Sequence, residues 1–174
     1  MAGAPNFYAD AACTIPLSNI DWGTMDPGES KTKTVYVKNE TGKPDCFLVN
    51  IYPLNIVPPE FAQYMTLTSD WLMFTLLQRN QIHALNLTLA ISSSIHGITS
   101  FSFDVTSDWG FLADLDFGHD GKILIDDIAV VAQHMWTHEG GPRWDPTYDL
   151  NQDGKVDITD LALISKFYGK KLTP

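Results

Sequence analysis

The feature that most constrains this chain is an internal repeat. Asp116-Phe117-Gly118-His119-Asp120-Gly121-Lys122-Ile123-Leu124-Ile125-Asp126-Asp127 lines up, 33 residues further on, with Asp149-Leu150-Asn151-Gln152-Asp153-Gly154-Lys155-Val156-Asp157-Ile158-Thr159-Asp160. Each copy runs into apolar residues at helical spacing: Ile128, Val131, Ala132 and Met135 after the first, Leu161, Leu163, Ile164 and Phe167 after the second. The spacing predicts helices over Ile125–Trp136 and Ile158–Tyr168 that pack on each other, separated by a linker through Gly140-Gly141-Pro142.

The repeated twelve residues have the spacing of a calcium loop. Calcium takes six to eight oxygens, and side chains at loop positions 1, 3 and 5 turn inward when a chain wraps one ion. Glycine at position 6 permits the turn that aims the carbonyl of position 7, and a carboxylate at position 12 closes the shell from the helix. In the second copy these ligands are Asp149, Asn151, Asp153, the carbonyl of Lys155 and Asp160, with Asp157 at position 9 reaching through a water. In the first copy they are Asp116, Asp120, the carbonyl of Lys122 and Asp127. Gly118 stands at position 3 and brings no oxygen, so water must complete that shell, and His119 at position 4 is expected to point outward. Magnesium is disfavoured, because it resists dehydration and demands strict octahedral geometry.

The rest of the chain reads differently. Residues 1–107 carry 9 acids and 5 bases, whereas residues 108–174 carry 12 acids and 6 bases, and this shift sets a boundary between residues 107 and 108. The first part reads as short strands: Lys31–Lys38, Phe47–Tyr52, Tyr64–Thr68, Trp71–Leu77, Ile82–Ser92 and Ile98–Thr106, with breaks at Pro53 and Pro58-Pro59 among others. Strands at this spacing imply an antiparallel sandwich. Asp21-Trp22-Gly23-Thr24-Met25-Asp26-Pro27-Gly28-Glu29-Ser30, followed by Val35–Asn39, resembles the opening hairpin of Ig-like domains on archaeal secreted proteins. The fold expected is therefore mainly β plus α: an Ig-like sandwich over 1–107 and a small helical calcium module over 108–174.

No catalytic constellation accompanies these strands. The five histidines, His83, His96, His119, His134 and His138, are scattered, and there is no phosphate loop or nucleophile elbow. A net charge of −10 excludes nucleic acid as the main partner. No apolar run approaches the roughly 20 residues that a bilayer span needs, and Met1-Ala2-Gly3-Ala4 does not read as a secretory leader. Cys13 and Cys46 are too few for a disulfide framework or a four-ligand zinc site. They are expected to form one bridge, worth roughly 3–4 kcal/mol by loop-closure entropy, with two buried thiols as the alternative. That bridge, and sequons at Asn39-Glu40-Thr41 and Asn86-Leu87-Thr88, favour secretion.

Two loops, each followed by one helix, over residues 111–172 resemble a dockerin module, with Asp153–Ala162 and Lys166-Phe167-Tyr168-Gly169 most typical of archaeal forms. The resemblance implies a fold of paired calcium loops and a cohesin partner, often contacted through Ser-Thr at loop positions 10 and 11. Here those positions hold Ile125-Asp126 and Ile158-Thr159. The function expected is non-catalytic: an extracellular calcium-binding protein that associates with copies of itself as a filament or tube subunit, with Asn6–Ala12 donated to a neighbouring sheet. The alternatives are an adaptor that docks on a cohesin-like partner, and a carbohydrate-binding module with Trp22 and Trp71 on a glycan face.

Overall fold

The computed structural model describes residues 4–40 and 42–172. Among the described residues, seven strands form two antiparallel sheets, followed by a pair of loop–helix units that contain two α-helices and a two-stranded ladder. The first sheet takes β1 (Asn6–Tyr8), β2 (Ser30–Lys38), β6 (Ile82–Ile91) and β4 (Met65–Ser69) in the order β1-β2-β6-β4. The second takes β5 (Leu76–Leu77), β3 (Cys46–Val57) and β7 (Ser102–Phe111) in the order β5-β3-β7.

Alternation explains the first core. Val35 and Val37 of β2 and Leu85, Leu87 and Leu89 of β6 are buried from one side of their sheet, against Cys46, Leu48 and Ile51 of β3 from the other. Trp22 and Trp71 are buried in the same core, Trp22 stacked on Phe103 with ring centroids 6.5 Å apart and Trp71 edge-on to Trp109 at 5.7 Å. Both indoles therefore pack in the core.

The first four residues of β3 are buried on both faces. Cys46 and Leu48 point into the core between the sheets, while Phe47 and Val49 point the other way and join a second core. That second core contains Leu112 and Leu115 from the turn after β7, Ile123 and Val156 from the two repeat loops, Val131 from α1 (Ile125–Gln133), and Leu163 and Ile164 from α2 (Ile158–Lys166). Phe47 stacks on Phe167 at 4.9 Å and crosses Phe74 at 6.1 Å. Its ring lies over Gly110, its partner across the β3–β7 ladder, where a Cβ would sit 2.3 Å from the ring. The outer face of the second sheet is thus the floor on which the repeat module rests.

Several expectations change. β3 runs through Pro53, which pairs with Val105. Past Leu48, whose carbonyl accepts from Phe74 N–H, the strand pairs among the described residues with β7 alone, and a one-sided strand tolerates a missing N–H. Of Trp71–Leu77 only the last two residues form a strand, because Trp71 turns into the core instead. The compositional divide at 107/108 falls inside β7, which continues to Phe111. Within Asn6–Ala12, β1 pairs with β2 of its own chain, Phe7 opposite Val37, and Tyr8 Oη donates to Glu40.

The cysteine bridge is not formed: Cys13 and Cys46 are both free and buried. Cys46 opens β3, and its thiol faces the Leu77 carbonyl at 3.8 Å, whereas Cys13 follows β1 at the edge of the other sheet. Asn39 is buried, and its Nδ2, the atom a glycan would need, donates to the carbonyls of Pro44 and Leu77. Thr41 of that sequon lies outside the described residues. Asn86 sits inside β6 with its amide donating to Asp70 and its carbonyl accepting from Thr34.

Candidate metal centre

The two repeats form closely matching loops that share most of their side-chain-to-backbone bonds. In the first, Asp116 accepts from the N–H groups of Asp120 at 3.1 Å and Gly121 at 2.8 Å. In the second, Asp149 accepts from Asp153 at 3.1 Å and Gly154 at 2.9 Å. Asp120 accepts from Lys122 N–H at 2.9 Å, and Asp153 from Lys155 N–H at 3.0 Å. Asp127 reaches back to Gly118 N–H and Leu124 N–H, both at 2.8 Å. Asp160 accepts from Leu150, Asn151 and Asp157 N–H at 2.7, 3.2 and 2.8 Å. These local side-chain-to-backbone bonds curl each loop around its own carboxylates.

Backbone conformation follows the same register. His119 and Gln152 at position 4 have φ of 53° and 60°, and Gly121 and Gly154 at position 6 have 82° and 85°. The glycines meet the left-handed requirement without a side-chain clash. His119 is exposed, as its position implies. Asp157, expected to act through water at position 9, caps α2 by accepting from Thr159 N–H at 2.7 Å.

A second symmetry ties the loops together. Position 8 of each loop is bonded to the chain leaving the opposite helix. Ile123 donates to Lys170 and accepts from Gly169 N–H at 2.8 Å, while the Val156 carbonyl accepts from Trp136 N–H at 2.8 Å. The second contact extends into a short ladder of β8 (Thr137–His138) with β9 (Lys155–Val156). Trp136 and Gly169 correspond across the repeat and share a left-handed backbone, φ 65° and 79°. This cross-tie was not anticipated, although Gly169 placed after the apolar helix was the residue that marked it.

The donor set fits a hard divalent cation. Asp116, Asp127, Asp149 and Asp160 are between 0% and 7% exposed. The ion pairs among the described residues, Lys31–Glu29 and Lys38–Glu40, lie elsewhere. Buried carboxylates without a cation are costly, and a divalent cation in each loop would offset that charge. Burial pushes the Asp160 carboxyl above its ordinary value, with the Asp149 charge adding to the rise and backbone N–H bonds opposing it. Among the described residues no three His, Cys, Asp or Glu side chains are drawn together into a ready cluster. The loops instead hold Asp116, Asp120 and the Lys122 carbonyl with Asp127, and Asp149, Asn151, Asp153 and the Lys155 carbonyl with Asp160, at the ends of fixed backbone turns. Carboxylate oxygens that accept one N–H keep lone pairs for an ion.

A cavity of about 1060 Å³ lies away from these loops. It opens on the first core between residues 17–27 and 95–105, lined by Trp22, Phe61, Phe101 and Phe103. No described helix is long and apolar enough to cross a membrane.

Residues 114–168 match the family model described as dockerin type I domain. The match covers both loops and both helices. No curated protein and no solved structure matches the chain.

Proposed function

We propose that this protein works by binding rather than by catalysis, outside the cell, with its C-terminal repeats docking on a cohesin-like protein and calcium holding the docking surface in shape. The observation that carries the reading is a pair of exposed isoleucines. Ile125 and Ile158, the first residues of α1 and α2, are 68% and 61% exposed, while Val131, Leu163 and Ile164 behind them are buried. The pair occupies equivalent positions of the two repeats, at the loop positions through which dockerins commonly meet their partners. Covering one isoleucine is worth about 1.5–3 kcal/mol. Because β1 already closes the edge of its own sheet, the basis for a donated strand is gone, and docking is favoured over filament growth.

The test pairs two measurements on the full chain. Surface-immobilised cohesin domains should retain the protein in calcium and release it in chelator. The double variant I125D/I158D should bind at least about 100-fold more weakly, as two lost apolar contacts require. Sedimentation at millimolar calcium should show a monomer. Calcium-driven growth into large assemblies, unchanged affinity of the double variant, or no retention by any cohesin overturns the docking reading.

A further inference from the structure

The first loop lacks an oxygen at position 3, yet its geometry shows where one comes from. Gly118 has no left-handed φ, so no backbone requirement explains a glycine there. What a side chain would meet does explain it: a Cβ on Gly118 would lie 2.9 Å from Asp126 Oδ2 and 3.6 Å from Asp127 Oδ1. The Asp126 carboxylate therefore occupies the space of the missing position 3 side chain, beside the buried position 12 carboxylate. The loop's N–H groups are bonded to Asp116, Asp120 and Asp127, and among the described residues none is bonded to Asp126.

The two repeats compensate for each other in this respect. The second loop has an oxygen at position 3, Asn151, and a neutral Thr159 at position 11; the first has Gly118 at position 3 and an acid, Asp126, at position 11. We propose that Asp126 is a calcium ligand of the first loop, supplying from the first turn of α1 the oxygen that Gly118 gives up. The inference rests on the reading that this loop takes calcium. It also removes Asp126 from the residues free to touch a docking partner, and leaves Ile125 as the contact on that repeat.

Amide signals of Gly121 and Gly154 report the two loops separately, since each N–H is bonded to its own position 1 carboxylate. Calcium titration of the full chain, followed by NMR at these two amides, measures both affinities in one sample. Asp126→Asn should move the Gly121 midpoint to at least about tenfold higher calcium and leave Gly154 within about twofold. Pairing Gly118→Asp with Asp126→Ala, which clears the space the Asp126 carboxylate fills, restores a position 3 carboxylate and should return the Gly121 midpoint towards wild type.

An acid at the start of a helix also stabilises it through the helix dipole. Loss of that role alone would lower the melting temperature of the calcium-free protein and would not be rescued from Gly118. A Gly121 midpoint unchanged by Asp126→Asn, or shifted without rescue by Gly118→Asp, overturns the assignment. A wild-type chain in which Gly154 responds to calcium and Gly121 does not overturns the calcium reading of the first loop, and Asp126 with it.

Discussion

Cys46 shows what burial does to one side chain. Enclosed between β5 and β7 and beside the Asp45 charge, its thiol is pushed up to about 12. The Cys13 thiol is raised as well, chiefly by burial. Since the thiolate is the reactive form, neither sulfur should react in the native protein. A thiol reagent at neutral pH should leave the folded chain unlabelled and modify both cysteines in denaturant, with no reductant added. Labelling of neither in denaturant until reductant is supplied would restore the bridge. The bridge was the wrong expectation because spacing along a chain says nothing about which sheet each residue joins. The shape of the two loops was legible for the opposite reason: within twelve consecutive residues, spacing alone sets which carboxylates fold back on which N–H groups. Asp126 was not legible, because its meaning depends on the space left by Gly118, eight residues earlier in the chain.

Among the elements, the turn leaving α1 carries visible strain. Trp136 holds a left-handed backbone at φ 65° with its indole 78% exposed, where the other repeat has Gly169. A bulky residue in that region costs of the order of 1–2 kcal/mol. Trp136→Gly keeps the N–H that bonds Val156 and gives up little buried surface. After allowing about 0.5–1 kcal/mol for the freedom glycine adds to the unfolded chain, stability should rise by about 0.5 kcal/mol. Chemical denaturation checks this, and a loss of more than about 1 kcal/mol would show that the indole itself holds the turn. Strand β3 teaches a related lesson. Cys46-Phe47-Leu48-Val49 is an unbroken apolar run, the pattern of a strand covered on both faces. Read for alternation only, it hides the second core, and Pro53 then looks like an end when it is a one-sided continuation.

For the whole molecule, that second core sets what the proposed calcium ions would do. Phe47 and Val49 belong to the sheets but are covered by α1, α2 and the loops. Chelation should therefore loosen the repeat module and bare the outer face of the β5-β3-β7 sheet. An ion at 1,000 times its dissociation constant adds about 4 kcal/mol per site. Calorimetry should show a lower first transition in chelator, accompanied by binding of a hydrophobic dye. Asp160→Asn should reproduce much of this shift. Asp104→Asn should not, because Asp104 accepts from Asn55 at an exposed site far from the loops. Superimposable melting curves with calcium and with chelator would remove the ion from the fold's stability.

The cross-tie between the repeats bears on how such a module can be moved or divided. Each loop is closed by the stretch of chain that leaves the other repeat, Gly169-Lys170 for Ile123 and Trp136-Thr137 for Val156. A single repeat excised with its own loop and helix would keep its acids and lose the strand that frames them. Grafting the pair onto another protein must carry both exits, through residue 139 of the first repeat and residue 172 of the second.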